Sequence, residues 1–233
     1  SEAEVYASAF IERPNQPSHK LYPQAGSDEV GTGDYFGPVV VCASYVCENQ
    51  LDLLRSYGIT DSKAMSDKDI QKAAKSLQNQ FTHVIFSLSP KAYNDLHRRY
   101  NMNATKALLH NQAYLALSKR VDLPEICMVD QFTAEKNYFS YLAYEPEIFH
   151  RLQFETKAES RYASVALASV FARNRFLEEW SYMEEKYNFH FQKGAGALVD
   201  RCAKEFVKQF GYDSLEQVAK IHFKNTDKLK EGE

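Results

Sequence analysis

Two adjacent carboxylates, Asp28 and Glu29, stand in the stretch Gly26-Ser27-Asp28-Glu29-Val30-Gly31-Thr32-Gly33-Asp34-Tyr35-Phe36-Gly37-Pro38. The apolar, β-branched run Val39-Val40-Val41-Cys42-Ala43 follows at once and predicts a buried strand. Charges go inside proteins only when they are paired or hold a metal. A polar strand end on a glycine-rich hairpin would account for these two without any chemistry. A catalytic account needs further acids brought to the same place, and two are suitably set. Asp130 follows the apolar Ile126-Cys127-Met128-Val129, and Glu159 stands just before a long helical pattern. Taken singly, Asp130 serves equally well as a turn cap and Glu159 as a complement to a helix dipole.

If the four met, they would repel and raise one another's pKa values unless cations occupied the cleft. An all-oxygen ligand set suits Mg²⁺ or Mn²⁺, and no His/Cys cluster competes for zinc. Two such ions about 4 Å apart support in-line displacement at a phosphodiester. Neighbouring strand side chains point to opposite faces, so Asp28 and Glu29 cannot both aim at one cleft from a regular strand. Distortion at Glu29, or a contribution through its backbone carbonyl, is therefore expected. The glycines fit neither familiar phosphate loop. Gly26 and Gly31 have Walker spacing, but Thr32-Gly33 replaces the Gly-Lys-Ser/Thr ending. Gly31, Gly33 and Gly37 are too widely spaced for a dinucleotide fingerprint and precede a strand, not a helix.

The elements that must position these acids can be placed in order. The strand through Asp28, the Gly31–Gly37 turn and a strand to about Cys47 predict an antiparallel ribbon. Leu51–Tyr57 is a short helix. Ser66 caps a second, Asp67 to about Leu77, with Asp69 at the capping-box position. Phe81–Leu88 is a strand, Ser89-Pro90 opens a helix to about Arg98, and Asn103–Arg120 is a helix. Glu125–Val129 is a short buried strand, Ala134–Leu142 a helix and Phe149–Thr156 extended. Ser160 is expected to cap the longest helix, Arg161 to about Lys186, whose small residues allow close packing on a sheet. Leu198–Phe210 is a helix stopped at Gly211, and a short helix near Leu215–Ala219 leads into a charged tail. Strands alternating with helices after a hairpin predict an α/β fold, a mixed central sheet flanked by helices. Residues 1–25, with Pro14, Pro17 and Pro23, have no sustained periodicity and are expected to be a linker or the remnant of an N-terminal region. Residues 26–233 would form the single catalytic domain with its C-terminal helices.

At 233 residues, with 44% hydrophobic and 13% aromatic content, the chain is long and apolar enough for a substantial core. No apolar stretch approaches a membrane span. The four cysteines form no C-x-x-C pair, as expected of reduced thiols in a cytoplasmic protein. A net charge of −3 gives no global electrostatic case for nucleic acid, so a nucleic-acid enzyme would depend on a local basic patch and bound cations. Lys157, Arg161, Arg173, Arg175 and Lys193 are candidates for that patch. His110 and His222 are expected to be structural. A monomer is expected.

The glycine stretch closely resembles the signature of type 2 ribonucleases H, and specifically of bacterial ribonuclease HIII. Asp61-Ser62-Lys63, Lys106-Ala107-Leu108-Leu109-His110-Asn111-Gln112, Lys157-Ala158-Glu159-Ser160 and Lys220-Ile221-His222-Phe223-Lys224-Asn225-Thr226 resemble further blocks of that family in the same order. The likeness runs from about Gly26 to Lys228. It implies a ribonuclease H-like fold and Mg²⁺- or Mn²⁺-dependent cleavage of RNA in RNA–DNA hybrids, leaving 5′-phosphate and 3′-hydroxyl ends. The family's four acids fall on Asp28, Glu29, Asp130 and Glu159, as catalytic residues and metal ligands. Gly31, Thr32, Gly33, Lys63, Lys106 and Ser164 are then candidate contacts to phosphate or sugar. Glycines at 31 and 33 would let a sugar–phosphate strand approach closely, and 2′-hydroxyls read from the shallow minor groove would mark the RNA strand.

The sister family, ribonuclease HII, has Gly-Arg-Gly where this chain has Gly31-Thr32-Gly33, and usually aspartate in place of Glu159. Both differences point away from cutting at single ribonucleotides in DNA. The HIII family normally carries an N-terminal substrate-binding domain, which residues 1–25 are too short to form. Three rivals stand beside the hybrid nuclease: cleavage at single ribonucleotides, strand transfer or resolution on the same scaffold, and a non-catalytic nucleic-acid-binding module. An intact set of acids weighs against the last, because carboxylates repel phosphates unless cations bridge them.

Overall fold

A computed structural model describes residues 21–59 and 64–230. Five strands form one mixed sheet: β1 (Gln24–Val30), β2 (Val39–Val46), β3 (His83–Leu88), β4 (Ile126–Asp130) and β5 (Gln153–Glu155). Their order is β3-β2-β1-β4-β5. The first three strands are antiparallel, whereas β4 runs parallel to β1 and β5 parallel to β4. The chain thus lays strands to one side of β1 and then returns to lay them on the other. The carboxyl ends of β1 and β4 meet where the order reverses, the usual place for a site in an open α/β sheet.

Eight helices surround the sheet within the described residues: α1 (Leu51–Ser56), α2 (Asp67–Leu77), α3 (Pro90–His97), α4 (Met102–Ser118), α5 (Glu135–Tyr141), α6 (Ala163–Tyr187), α7 (Ala197–Phe210) and α8 (Lys224–Lys230). Strand β2 shows why both faces need cover. Val40 and Cys42 join the core beneath α6 and α2, while Val39, Val41 and Ala43 join the opposite core beneath α4 and α5. A strand buried on both sides reads as a continuous apolar run, as this one does.

Helix α6 lies unusually close to β1. A β-carbon at Gly26 would come within 2.5 Å of Ser164 Oγ and of the Val165 backbone nitrogen, so only glycine permits this approach. Ser66 caps α2 as expected, accepting from the Asp69 amide at 3.2 Å while its hydroxyl donates to the Asp69 carboxylate.

Several elements differ from the sequence expectation. The sheet takes in Gln24 and Ala25, ahead of the expected boundary at residue 26, and the buried Tyr22 joins the core. Residues 1–20 of the expected linker lie outside the described residues. Strand β1 runs unbroken through Glu29, which faces Val41 across the ladder, so the expected distortion is absent. Ser160 does not cap the long helix. It closes a three-ten turn, Ala158–Ser160, by donating to the Lys157 carbonyl, and α6 begins at Ala163 behind Tyr162. The charged tail contains helix α8.

Candidate active site

Regular alternation along β1 decides where each acid points. Ala25, Ser27 and Glu29 face α4, and Gly26 and Asp28 face α6. The parallel register sets Ser27 opposite Val129, which brings Asp28 level with Asp130 at the end of β4. Asp130 Oδ1 accepts from the Ala158 amide at 2.9 Å, tying β4 to the three-ten turn that carries Glu159. Glu159 is buried there, close enough for its charge to bear on Asp130.

The electrostatics follow. Burial drives the pKa of Asp28 well above the carboxylate range, and the charges of Glu29 and Asp130 push it further. Hydrogen bonds from Ser169 and from the Glu29 amide (2.7 Å) partly oppose this. Asp130 is raised to about 6, first by burial and then by Glu159, against the Ala158 hydrogen bond. Glu29 behaves oppositely. Burial works to raise it, but His110 and Lys106 outweigh burial and hold it below the usual range. Lys106 Nζ donates to one oxygen at 2.9 Å and His110 Nε2 lies 2.9 Å from the other. His110 Nδ1 is 2.7 Å from Ser27 Oγ, and the Lys106 ammonium also sits 4.0 Å from the centre of the Phe132 ring.

The four acids therefore share one neighbourhood but not one cage. Among the described residues, no three His, Cys, Asp or Glu side chains already form a group that could hold a metal ion. The reason is visible in Glu29, whose carboxylate is taken up by α4. Asp28, Asp130 and Glu159, crowded against their own repulsion and offering only oxygen, still have the chemistry of a hard-cation site.

The remaining candidates fall into three groups. Gly31 and Gly37 have φ of +91° and +80°, and a β-carbon at Gly31 would sit 2.1 Å from the Pro38 carbonyl. Thr32 is half-buried, and Gly33 is exposed with open space where its β-carbon would be. Ser164 is a correction. It is fully buried, its amide and hydroxyl both donate to Gln24 Oε1, and it cannot reach a substrate. Lys106 is buried on Glu29 and Phe132, and Lys63 lies outside the described residues.

Four cations of the expected basic patch are matched by carboxylates. Arg173 and Lys193 both bind Asp67, Arg161 binds Glu155, and Arg175 binds Glu179. Ser27, His110 and Ser169 were not foreseen at the site. The four-residue spacing of Lys106 and His110 puts both on one face of α4, a signal that could have found them.

Comparison with known proteins agrees with this fold. Residues 25–226 match the family model described as Ribonuclease HII. A relative named ribonuclease HIII from Streptococcus pneumoniae (strain CGSP14) is 42% identical over 232 residues, covering 98% of this chain and 80% of its own length. Among solved structures, Bst-RNase HIII in complex with Mn²⁺ superposes with a TM-score of 0.86 at 38% identity, covering 90% of this chain and 69% of that one. RNase H3 of Aquifex aeolicus gives 0.69 at 26% identity, over 85% and 71%. With Asp28, Asp130 and Glu159 brought near the switch point of a ribonuclease H-like sheet, the chain belongs to the type 2 ribonuclease H family, is similar to ribonuclease HIII and is a ribonuclease H.

Proposed function

We propose that the chain hydrolyses the RNA strand of RNA–DNA hybrids by two-metal-ion catalysis, leaving 5′-phosphate and 3′-hydroxyl ends. The observation that carries this is the placement of Asp28 beside Asp130, with Glu159 buried against Asp130, at the point where strand order reverses. Asp28, Glu29, Asp130 and Glu159 would hold two Mg²⁺ or Mn²⁺ ions, which supply Lewis acidity to an in-line displacement at phosphorus. Asp28 is oriented by Ser169 and its own strand, and Asp130 by the Ala158 amide. Lys106 and His110 fix the carboxylate of Glu29, with Ser27 fixing His110 in turn. No histidine is needed as a base, and His110 acts here by orientation.

The turn at Gly31, Thr32 and Gly33, together with Lys63, is the proposed contact with the hybrid. Support comes from Gly33, whose missing side chain no internal neighbour explains, leaving room for a sugar–phosphate backbone to approach. From there 2′-hydroxyls in the shallow minor groove distinguish RNA from DNA. Thr32 and Glu159, where the sister family has arginine and usually aspartate, favour continuous hybrid over a single ribonucleotide.

End-labelled hybrid, duplex DNA, duplex RNA and a DNA duplex with one ribonucleotide, each with and without Mg²⁺, test the proposal. The expected result is metal-dependent cutting within the RNA strand of the hybrid and little at the lone ribonucleotide. Preferential cutting at the lone ribonucleotide would overturn the substrate assignment, and cutting of hybrid unaffected by chelation would overturn the mechanism. The assay is run at low salt, where phosphate contacts are strongest.

A further inference from the structure

The glycine turn is closed from behind by one buried cation. Lys220 is fully inaccessible, and its Nζ donates to the carbonyls of Gly37 at 2.6 Å, Asp34 at 2.8 Å and Phe36 at 3.4 Å. An ammonium carries three hydrogens and no lone pair, which matches three converging carbonyls. The backbone repeats the contact. Lys220 donates its amide to Tyr35 at 2.8 Å, Gly37 donates to Val218 at 2.9 Å, and Phe36 pairs with Ala219. Further out, the Tyr35 hydroxyl is 2.9 Å from Thr226 Oγ1. On the other side, Gly194 donates to the Asp34 carboxylate and accepts from the Tyr35 amide.

A buried lysine is a costly way to fill this space. Burial pushes its pKa down to about 7, with the charge of Asp34 opposing the shift, and His222 is the other titrating neighbour. An apolar side chain of similar length would fill the space without that cost. What it could not do is hold three carbonyls of one turn to a single point. Gly31 and Gly37, both at positive φ, give the turn conformational freedom that such a hold removes.

We infer that Lys220 is a positioning residue for hybrid binding: by gathering the carbonyls of Asp34, Phe36 and Gly37 it fixes the half of the turn that presents Gly31, Thr32 and Gly33 to the substrate. The inference rests on the proposed hybrid activity. It assigns Lys220 no contact with the substrate or the reacting atoms.

The test is Lys220→Met, assayed on RNA–DNA hybrid beside the wild type. KM should rise about tenfold, equivalent to roughly 1.4 kcal/mol of binding, while kcat stays within about threefold. Mn²⁺ affinity measured by calorimetry without substrate should be unchanged. Amide exchange at residues 31–37 should quicken while the β1–β2 ladder keeps its protection. An unchanged KM, or a fall in kcat at constant KM, would overturn the inference. Should Lys220→Met fail to fold, Thr226→Val loosens the same turn by removing only the hydroxyl beside Tyr35. It should raise KM about two- to threefold, and an unchanged KM there is equally fatal. Wild-type protein that leaves hybrid uncut overturns the proposed function and this inference together. Wild-type cutting with unchanged KM in the variants overturns the inference alone.

Discussion

The acid cleft and the glycine turn lie at the same end of the sheet, and their polar groups are treated in opposite ways. In the turn, opposite partial charges are matched: the Lys220 ammonium meets carbonyls, and the Asp34 carboxylate meets a backbone amide. In the cleft, like charges are crowded: Asp28 is raised by burial and then by Glu29 and Asp130, and Asp130 is raised by burial and by the charge of Glu159. Local frustration of this kind is expected where chemistry occurs and is offset by well-satisfied structure elsewhere. The turn's charges are matched within the protein, whereas the cleft keeps a repulsion that a cation would relieve. Glu29 sits between the two regimes, an acid of the cleft satisfied by partners from α4.

The contrast can be broken most directly at the cleft. Asp28→Asn or Asp130→Asn should lower hybrid cleavage by roughly a thousandfold or more while circular dichroism and thermal unfolding report a folded protein. Near-normal activity in either variant would remove the acids from the mechanism. His110→Ala should cost about ten- to a hundredfold in Mn²⁺ affinity or activity, the usual loss when a residue orienting a metal ligand is removed. Calorimetry and steady-state kinetics would check it, and a fully active variant with wild-type Mn²⁺ affinity would deny Glu29 its need of α4.

Smaller effects sharpen the comparison through stability. Gly26→Ala should destabilise the protein by about 1–3 kcal/mol, because the added methyl meets backbone and forces α6 off β1. Urea unfolding would measure it. Lys220 should make stability pH-dependent. Its native pKa lies near 7 and its unfolded value near 10.5, so between them the unfolded chain binds the extra proton and stability rises with pH. Relative to Lys220→Met, the wild type should therefore gain up to roughly 1.4 kcal/mol per pH unit above pH 7. A pH-independent difference would mean that the three carbonyls keep the lysine protonated throughout this range and that burial does not lower its pKa. Least of all, Asp130→Asn should raise the melting temperature of metal-free protein at neutral pH by a few degrees, about 1 kcal/mol of relieved repulsion. Differential scanning calorimetry in the presence of a chelator would show it.

How much of this was legible in the sequence depended on how local the cause was. The Ser66 cap, the proline at the start of α3 and the apolar run of β2 follow from neighbours within a few residues, and each was readable. The expectation that Asp28 and Glu29 face opposite ways was also local, but its consequence was not. Only the fold shows that α4 waits on the far face with Lys106 and His110, so alternation is satisfied without bending the strand. Ser164 was a candidate contact through the family resemblance, and nothing near it in the chain shows that it is buried. Its partner, Gln24, lies 140 positions away. The basic patch failed for the same reason, since Asp67 lies more than a hundred residues from both Arg173 and Lys193. Spacing within one helix would have exposed His110, whereas nothing short of the sheet order could place Asp130 beside Asp28.

Helix α6 passes beneath both regions. Ser169 reaches Asp28, and Phe176 and Trp180 lie against Gly31 and Gly37. Ser169 and Trp180 are eleven residues apart, about 16 Å along the axis at 1.5 Å per residue. The helix is thus a gauge with two marks, one under the acid cleft and one under the glycine turn. A single residue inserted between the marks would turn the second by about 100° and aim Trp180 away from the turn. The separation of the acid cleft from the glycine turn is therefore registered along one helix, by its rise and its pitch.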